Sequence, residues 1–214
     1  LKPLTDTMPK AMVTVGGQPL IQRVIARLKA AGTTRIVVNV HHFANQIVSY
    51  LHDNNNFGVD IRISDETEKL LETGGGIKKA APLFNDNEPI LIHNVDILSN
   101  VDLAKLYNLA CCEEEGKAVA DAVVLVSNRV TKRYLLFDDD MNLVGWTNIE
   151  TGEVKSPFLQ LDVNKCHRYA FAGIHVVSPR LFTLMDTFPD KFGIIDFYLS
   201  ICCLLYTSPS PRDC

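Results

Sequence analysis

Residues 18–40, QPLIQRVIARLKAAGTTRIVVNV, carry two periods in succession. Leu20, Ile21, Val24, Ile25 and Leu28 recur at helical spacing, so the pattern predicts a helix over 18–31 with one apolar stripe. Pro19 suits the first turn, where its missing N–H costs no bond, and Gly32 suits the stop. RIVVNV (35–40) then gives a short β-branched run, the mark of a strand covered on both faces. A helix feeding a buried strand is the repeating unit of an α/β chain.

The unit recurs downstream. Residues 44–52 fit a second helix with Ile47, Val48 and Leu51 inward, and VDIRIS (59–64) alternates as a strand. GIKKAAPLF (76–84) predicts a short helix behind a run of glycines, and PILIHNVDI (89–97) a strand. Residues 101–115 predict a helix with Asp102 as N-cap, and 121–127 another buried strand. This alternation implies a Rossmann-like three-layer α/β/α domain with a mostly parallel central sheet. Later, YLLF and NLVGW flank Asp138–Asp140 and read as a β-hairpin. A long strand is expected over 168–178 and helices over 179–186 and 194–204. One domain over 1–204 is expected, with 205–214 (LYTSPSPRDC) a disordered or non-native tail. Leu1 opens a turn-rich segment with no strand before it, so the N-terminal side also reads as incomplete.

Hydrophobic residues make up 47% of the 214 and charged residues 21%, enough apolar material for a sizeable core. A net charge of −4 argues against a nucleic-acid-binding module, which usually shows a basic patch. No run reaches the roughly 20 apolar residues of a membrane span, and no signal peptide opens the chain. The six cysteines form no C-x-x-C, so a reduced, cytoplasmic setting is the default.

Ligands of open α/β sheets bind beyond the carboxyl ends of the strands, and three segments could meet there. Asn94 and Asp96, at the end of PILIHNVD, share one strand face, and an aspartate at such an exit can hold Mg²⁺; a turn or capping aspartate reads as well. Glu72-Thr73-Gly74-Gly75-Gly76 runs into a helix, where free N–H groups could receive anions; a flexible loop reads as well. Pro3-Leu4-Thr5 followed by Pro9-Lys10 could place an ammonium over phosphates, although a lone lysine is usually solvated. His41 and His42 lack partners at metal-ligand spacing, and no G-x-S-x-G suggests acyl transfer.

Together, LKPLTDTMPK (1–10), VGGQPLIQRVIARLKAAG (15–32), LETGGGI (71–77), HNVD (93–96), YAFAGIHVVSP (169–179) and FGIIDFYL (192–199) resemble the sugar-nucleotide pyrophosphorylase branch of the nucleotidyltransferases. LETGGGI looks closest to members acting on N-acetylmuramate 1-phosphate or mannose 1-phosphate. The resemblance implies transfer of a nucleoside monophosphate from a nucleoside triphosphate to a sugar 1-phosphate. It implies Asp96 as the Mg²⁺ ligand and Lys10 as a phosphate contact. It places Glu72, Thr73, Gly74 and Gly75 at the base or sugar, and Asn94 and Gly173 beside the sugar phosphate. The chain departs from the pattern in four ways. The glycine-rich loop and its arginine have no counterpart, nor does the second metal aspartate. Val95 stands where a glycine is usual. The sugar-site E-K-P motif has only Glu150, Lys155 and Lys165 as loose counterparts. These departures imply a slow catalyst, and they keep open a non-catalytic sugar-nucleotide-binding regulatory subunit on the same fold. Base, sugar and oligomeric state stay open.

Overall fold

Helix α1 (Leu20–Ala30) begins after Pro19, whose extended backbone makes it the N-cap and sets the start two residues later than the pattern predicts. In the computed structural model, which describes residues 4–84, 87–114, 117–118 and 120–202, this helix follows a small hairpin of β1 (Thr14–Val15) and β2 (Gln18–Pro19). The hairpin turns at Gly16 and Gly17, both at positive φ, the conformation a tight turn demands and glycine accepts without strain.

The chain then alternates: β3 (Arg35–Val40), α2 (Ala44–Asp53), β4 (Asp60–Asp65), α3 (Glu72–Ala80), β5 (Ile90–His93) and α4 (Leu103–Ala110). The Asp102 carboxylate caps α4 by accepting from Lys105 N at 3.0 Å, as the sequence implies. That helix stops at Ala110, short of the expected 115, because the chain turns into β6 (Glu113–Glu114) and β7 (Lys117–Ala118). Next come β8 (Ala122–Ser127), β9 (Arg133–Phe137), β10 (Leu143–Asn148), β11 (Glu153–Lys155), β12 (His167–Val177), α5 (Arg180–Met185) and α6 (Ile194–Ile201). Residues 205–214 lie outside the described residues.

β3 and β4 pair in parallel, from Arg35–Asp60 to Val40–Asp65. The strand order β11-β10-β9-β12-β5, with β8 also on β12, forms the larger sheet, and its pairings are antiparallel. The α/β class holds, but parallel pairing is confined to β3–β4 among the described strands. The reason is β12: eleven residues long, it runs against β5, β8 and β9 alike. The expected hairpin is β9–β10, and its turn is held by Asp138 Oδ1 accepting from the N–H groups of Asp140 and Asn142. β11, a third strand on that hairpin, escapes the sequence because Glu153–Lys155 is too short and polar to show a period.

Alternation along the strands builds the layers. Leu91 of β5 and Val123 and Leu125 of β8 enter one core with α1, α2 and α4. Ile90 and Ile92 of β5 and Ala122 and Val124 of β8 enter a second core with α5 and α6. Side chains on opposite pleats thus supply two cores, and helices close each one.

His175, in β12, is 2% exposed, and its Nδ1 meets the Tyr198 hydroxyl. Burial pushes its pKa down to about 3, so the ring is neutral in the folded protein. The unfolded chain takes up a proton on this ring near pH 6.5. Between those values the unfolded state binds more protons, so stability is present above pH 6.5 and is lost as pH falls toward 3, by at most about 1.4 kcal/mol per pH unit. Thermal melts from pH 7 to 4 are expected to show this decline, and His175→Phe should flatten it; an unchanged slope would refute the assignment.

Candidate active site

Strand β5 ends at His93, and the backbone turns at once, with Ile97 N donating to Asn94 O at 3.2 Å. Asn94 and Asp96 therefore lie in a turn beyond the strand and not on its face as the alternation implied. Asn94 N donates to Gly173 O at 2.9 Å, which ties this turn to β12. Gly173 sits at φ +73°, and a Cβ there would lie 2.7 Å from Asn94 Nδ2 and 3.1 Å from Ile97 Cγ1. Only glycine lets β12 pass this close, and the β12–β8 register shifts at the same place.

Asp96 keeps its carboxylate 32% exposed and pairs with the Lys10 ammonium, which is 48% exposed. Lys10 opens the short 3-10 turn Lys10–Met12 behind extended Pro9. Two of the three expected segments thus meet in one ion pair beyond the carboxyl end of β5.

The triple-glycine segment behaves differently. α3 starts at Glu72, so Gly74, Gly75 and Gly76 are buried inside the helix and not in a loop before it. The N–H groups of Gly74 and Gly75 donate to Phe192 O at 2.9 and 3.2 Å, and Thr73 Oγ1 accepts from Ile194 N at 3.0 Å. These glycine N–H groups are committed to holding α3 against the segment that enters α6, which corrects the expectation that they stand free for a ligand. Small residues are required because a side chain would collide with Phe192, Asp190 or Glu66. Glu72 stays half-exposed at φ +64°, 3.6 Å from Lys191 Nζ.

Glu66 is 2% exposed; it accepts from the Asn39 amide and, at 3.0 Å, from Leu71 N. Neither the β3–α3 contact nor this buried carboxylate was legible in the sequence, where Glu66 stands among other charges. Glu66→Ala should strand both donors and cost about 2–3 kcal/mol in urea unfolding, with Glu66→Gln recovering part. A change under about 0.5 kcal/mol would contradict that role.

A cavity of about 520 Å³ opens beside β12, lined by Arg129, Arg133 and Lys155 together with Tyr134, Trp146 and Asp196. Lys155 Nζ pairs with Asp196 at 2.9 Å and lies 5.4 Å over the Trp146 ring, and the Asp196 carboxylate raises its pKa. Three cations stand against two carboxylates, Glu153 and Asp196, beside the rings of Tyr134, Trp146 and Phe171, a lining that could receive a phosphorylated ring compound. Phe171, two residues before Gly173 in β12, also lines this cavity. Of the loose sugar-site counterparts, Lys155 reaches it, whereas Glu150 pairs with Lys132 and Lys165 closes the turn Val163–Lys165. The signal for the rest was the basic run over 129–133.

A model of the nucleotidyl transferase family matches residues 1–134. The chain belongs to this family. It is 32% identical over 182 residues to the N-acetylmuramate alpha-1-phosphate uridylyltransferase of Neisseria meningitidis serogroup B, covering 85% of this chain and 71% of that one. It is 29% identical over 193 residues to the mannose-1-phosphate guanyltransferase of Kluyveromyces lactis, covering 89% of this chain and half of that enzyme's length. A putative glucose-1-phosphate thymidylyltransferase from Bacillus anthracis has the same fold, with a TM-score of 0.73 at 18% identity over 94% of this chain and 78% of that one. In this nucleotidyltransferase no described helix is long and apolar enough to cross a membrane.

Proposed function

We propose that the protein transfers a nucleoside monophosphate from a nucleoside triphosphate to a sugar 1-phosphate, of the N-acetylmuramate or mannose type, in the cytoplasm. The observation that carries this reading is the Lys10–Asp96 pair at the carboxyl end of β5. Family membership and the activities named for the relatives support it.

The reaction joins two anions. A phosphate oxygen of the sugar attacks the α-phosphorus, a P–O bond forms, the α–β anhydride bond breaks and pyrophosphate leaves. A sugar phosphate is already ionised, so no general base is required; positioning and charge stabilisation carry the rate. Lys10 would leave Asp96 and contact the triphosphate. Asn94 and Gly173 would border the sugar phosphate, with Arg133 and Lys155 neutralising it. Glu72 and Thr73, at the head of α3, would face the base or sugar.

Among the described residues no group of three or more His, Cys, Asp or Glu could enclose a metal. A single part-exposed carboxylate fits Mg²⁺, which keeps waters and takes substrate phosphate oxygens alongside one or two carboxylates. Asp96 would hold it, and the ion would screen the phosphates.

The test is pyrophosphate release, together with calorimetric nucleotide binding, across five triphosphates and a panel of sugar 1-phosphates. Release that requires one sugar 1-phosphate supports the assignment. Nucleotide-sugar binding indifferent to Mg²⁺ and to Asp96→Asn would replace enzyme with sensor, and no binding or release would remove both.

A further inference from the structure

β11 is the outermost strand of its sheet and pairs with β10 alone among the described residues; all three of its residues are exposed. A lysine on such an edge has a long flexible stem and ordinarily ends in water. The Lys155 ammonium is held instead. It lies over the ring of Trp146, its partner in the β10 register, and donates to Asp196 Oδ1 at 2.9 Å. The charged groups around it are Asp196 from α6, Glu153 from its own strand, and Arg129 and Arg133 across the cavity, with the Tyr134 phenol. Asp196 raises the Lys155 pKa, burial opposes the rise, and Glu153 adds to it.

The turn that carries Asp196 is anchored independently of β11. Phe192 O accepts from the N–H groups of Gly74 and Gly75, and Ile194 N donates to Thr73 Oγ1 at 3.0 Å. One end of this segment therefore grips the head of α3, and the other reaches Lys155. The asymmetry sets a direction. The turn is fixed by a helix packed against it and the edge strand is not, so the carboxylate places the ammonium. The cavity walls agree with this. Ile195 and Asp196 line the cavity of Lys155 and Arg133, while Ile194 lines a second cavity with Thr73 and Asn94, and Phe171 borders both.

We propose that Asp196 is a positioning residue, which aims the Lys155 ammonium from an anchored turn into the cavity that receives the phosphate of the sugar 1-phosphate. This rests on the reading above that Lys155 neutralises that phosphate. An ammonium has three donors, so Lys155 can keep Asp196 and still offer a proton to a phosphate oxygen. The competing role is local. An acid in the first turn of a helix complements the free N–H groups there, and Asp196 occupies that turn of α6.

The test uses the full chain with ¹³C-labelled lysine, in which the Lys155 signal is assigned by its loss in Lys155→Met. The alkaline titration of that signal is read without ligand in the wild type, Asp196→Asn and Asp196→Glu. Affinity for N-acetylmuramate 1-phosphate and for mannose 1-phosphate is read from the fluorescence of Trp146, the chain's one tryptophan. Asp196→Asn should move the titration to lower pH and weaken sugar-phosphate binding about two- to fivefold, the scale of one exposed ion pair. Asp196→Glu should recover part of each. A lower melting temperature with titration and affinity both unchanged would overturn the proposal and leave Asp196 as a helix-end charge. So would a titration that shifts while affinity stays. Weaker binding in Lys155→Met but not in Asp196→Asn removes the positioning role alone. Binding to Lys155→Met as tight as to the wild type, or no binding to either, removes the phosphate site and this role with it.

Discussion

Replacing Asp96 with asparagine is expected to abolish the Mg²⁺ dependence of nucleotide binding and to lower pyrophosphate release by about 10²–10³-fold, the scale of losing one group that stabilises a transition state. The substitution keeps the size of the side chain and one acceptor oxygen, so the fold should be unaffected. The carboxylate is 32% exposed and its partner Lys10 48% exposed, so little stability is at stake in their pairing. Calorimetry with and without Mg²⁺, beside a thermal melt, separates the outcomes. A variant that melts normally and still binds nucleotide more tightly with Mg²⁺ would show that the cation sits elsewhere.

The largest effect on stability is expected at Gly75. A Cβ at this position would overlap the Asp190 carbonyl oxygen and lie 3.0 Å from Leu71 Cβ. The obstacle is backbone, which cannot rotate aside as a side-chain tip can. Gly75→Ala must push α3 away from the segment entering α6, breaking the hydrogen bonds that Phe192 O receives from Gly74 and Gly75. A loss of at least about 3 kcal/mol is expected in denaturant unfolding, at the upper end for overpacking. Gly193→Ala serves as the control, since a Cβ there meets side-chain tips alone, Asp196 Oδ2 at 3.2 Å and Glu72 Oε2 at 3.9 Å. Equal stability of the two variants would mean that α3 has room the structure does not show.

Local periods made most of the elements legible. Leu20 to Leu28 and Ile36 to Val40 announced α1 and β3 because burial on one stripe or on both faces leaves a pattern in a single short window. Asp102 announced the cap of α4 for the same reason. Contacts between distant segments were legible only through resemblance. Lys10 and Asp96 could be named because LKPLTDTMPK and HNVD resemble the family's motifs, and the structure brings them into contact. The triple glycine was misread because glycine has two opposite uses. It frees a loop, or it lets backbones touch, and a lone sequence does not say which; Phe192 and Asp190 decide for the second. The Glu66–Asn39 contact and the approach of Lys155 to the basic run over 129–133 join segments far apart in the chain, so no single window contains either contact.

On the proposed function, the ion pair between Lys10 and Asp96 also couples the arrival of a phosphate to that of a divalent ion. Each charge has its opposite as company until a phosphate claims the ammonium or a divalent ion claims the carboxylate. Whichever comes first breaks the pair and leaves the other charge unmatched, which makes the second arrival more favourable. By thermodynamic reciprocity the two solutes must then enhance one another's affinity by the same factor, cooperativity that arises without any movement of the fold.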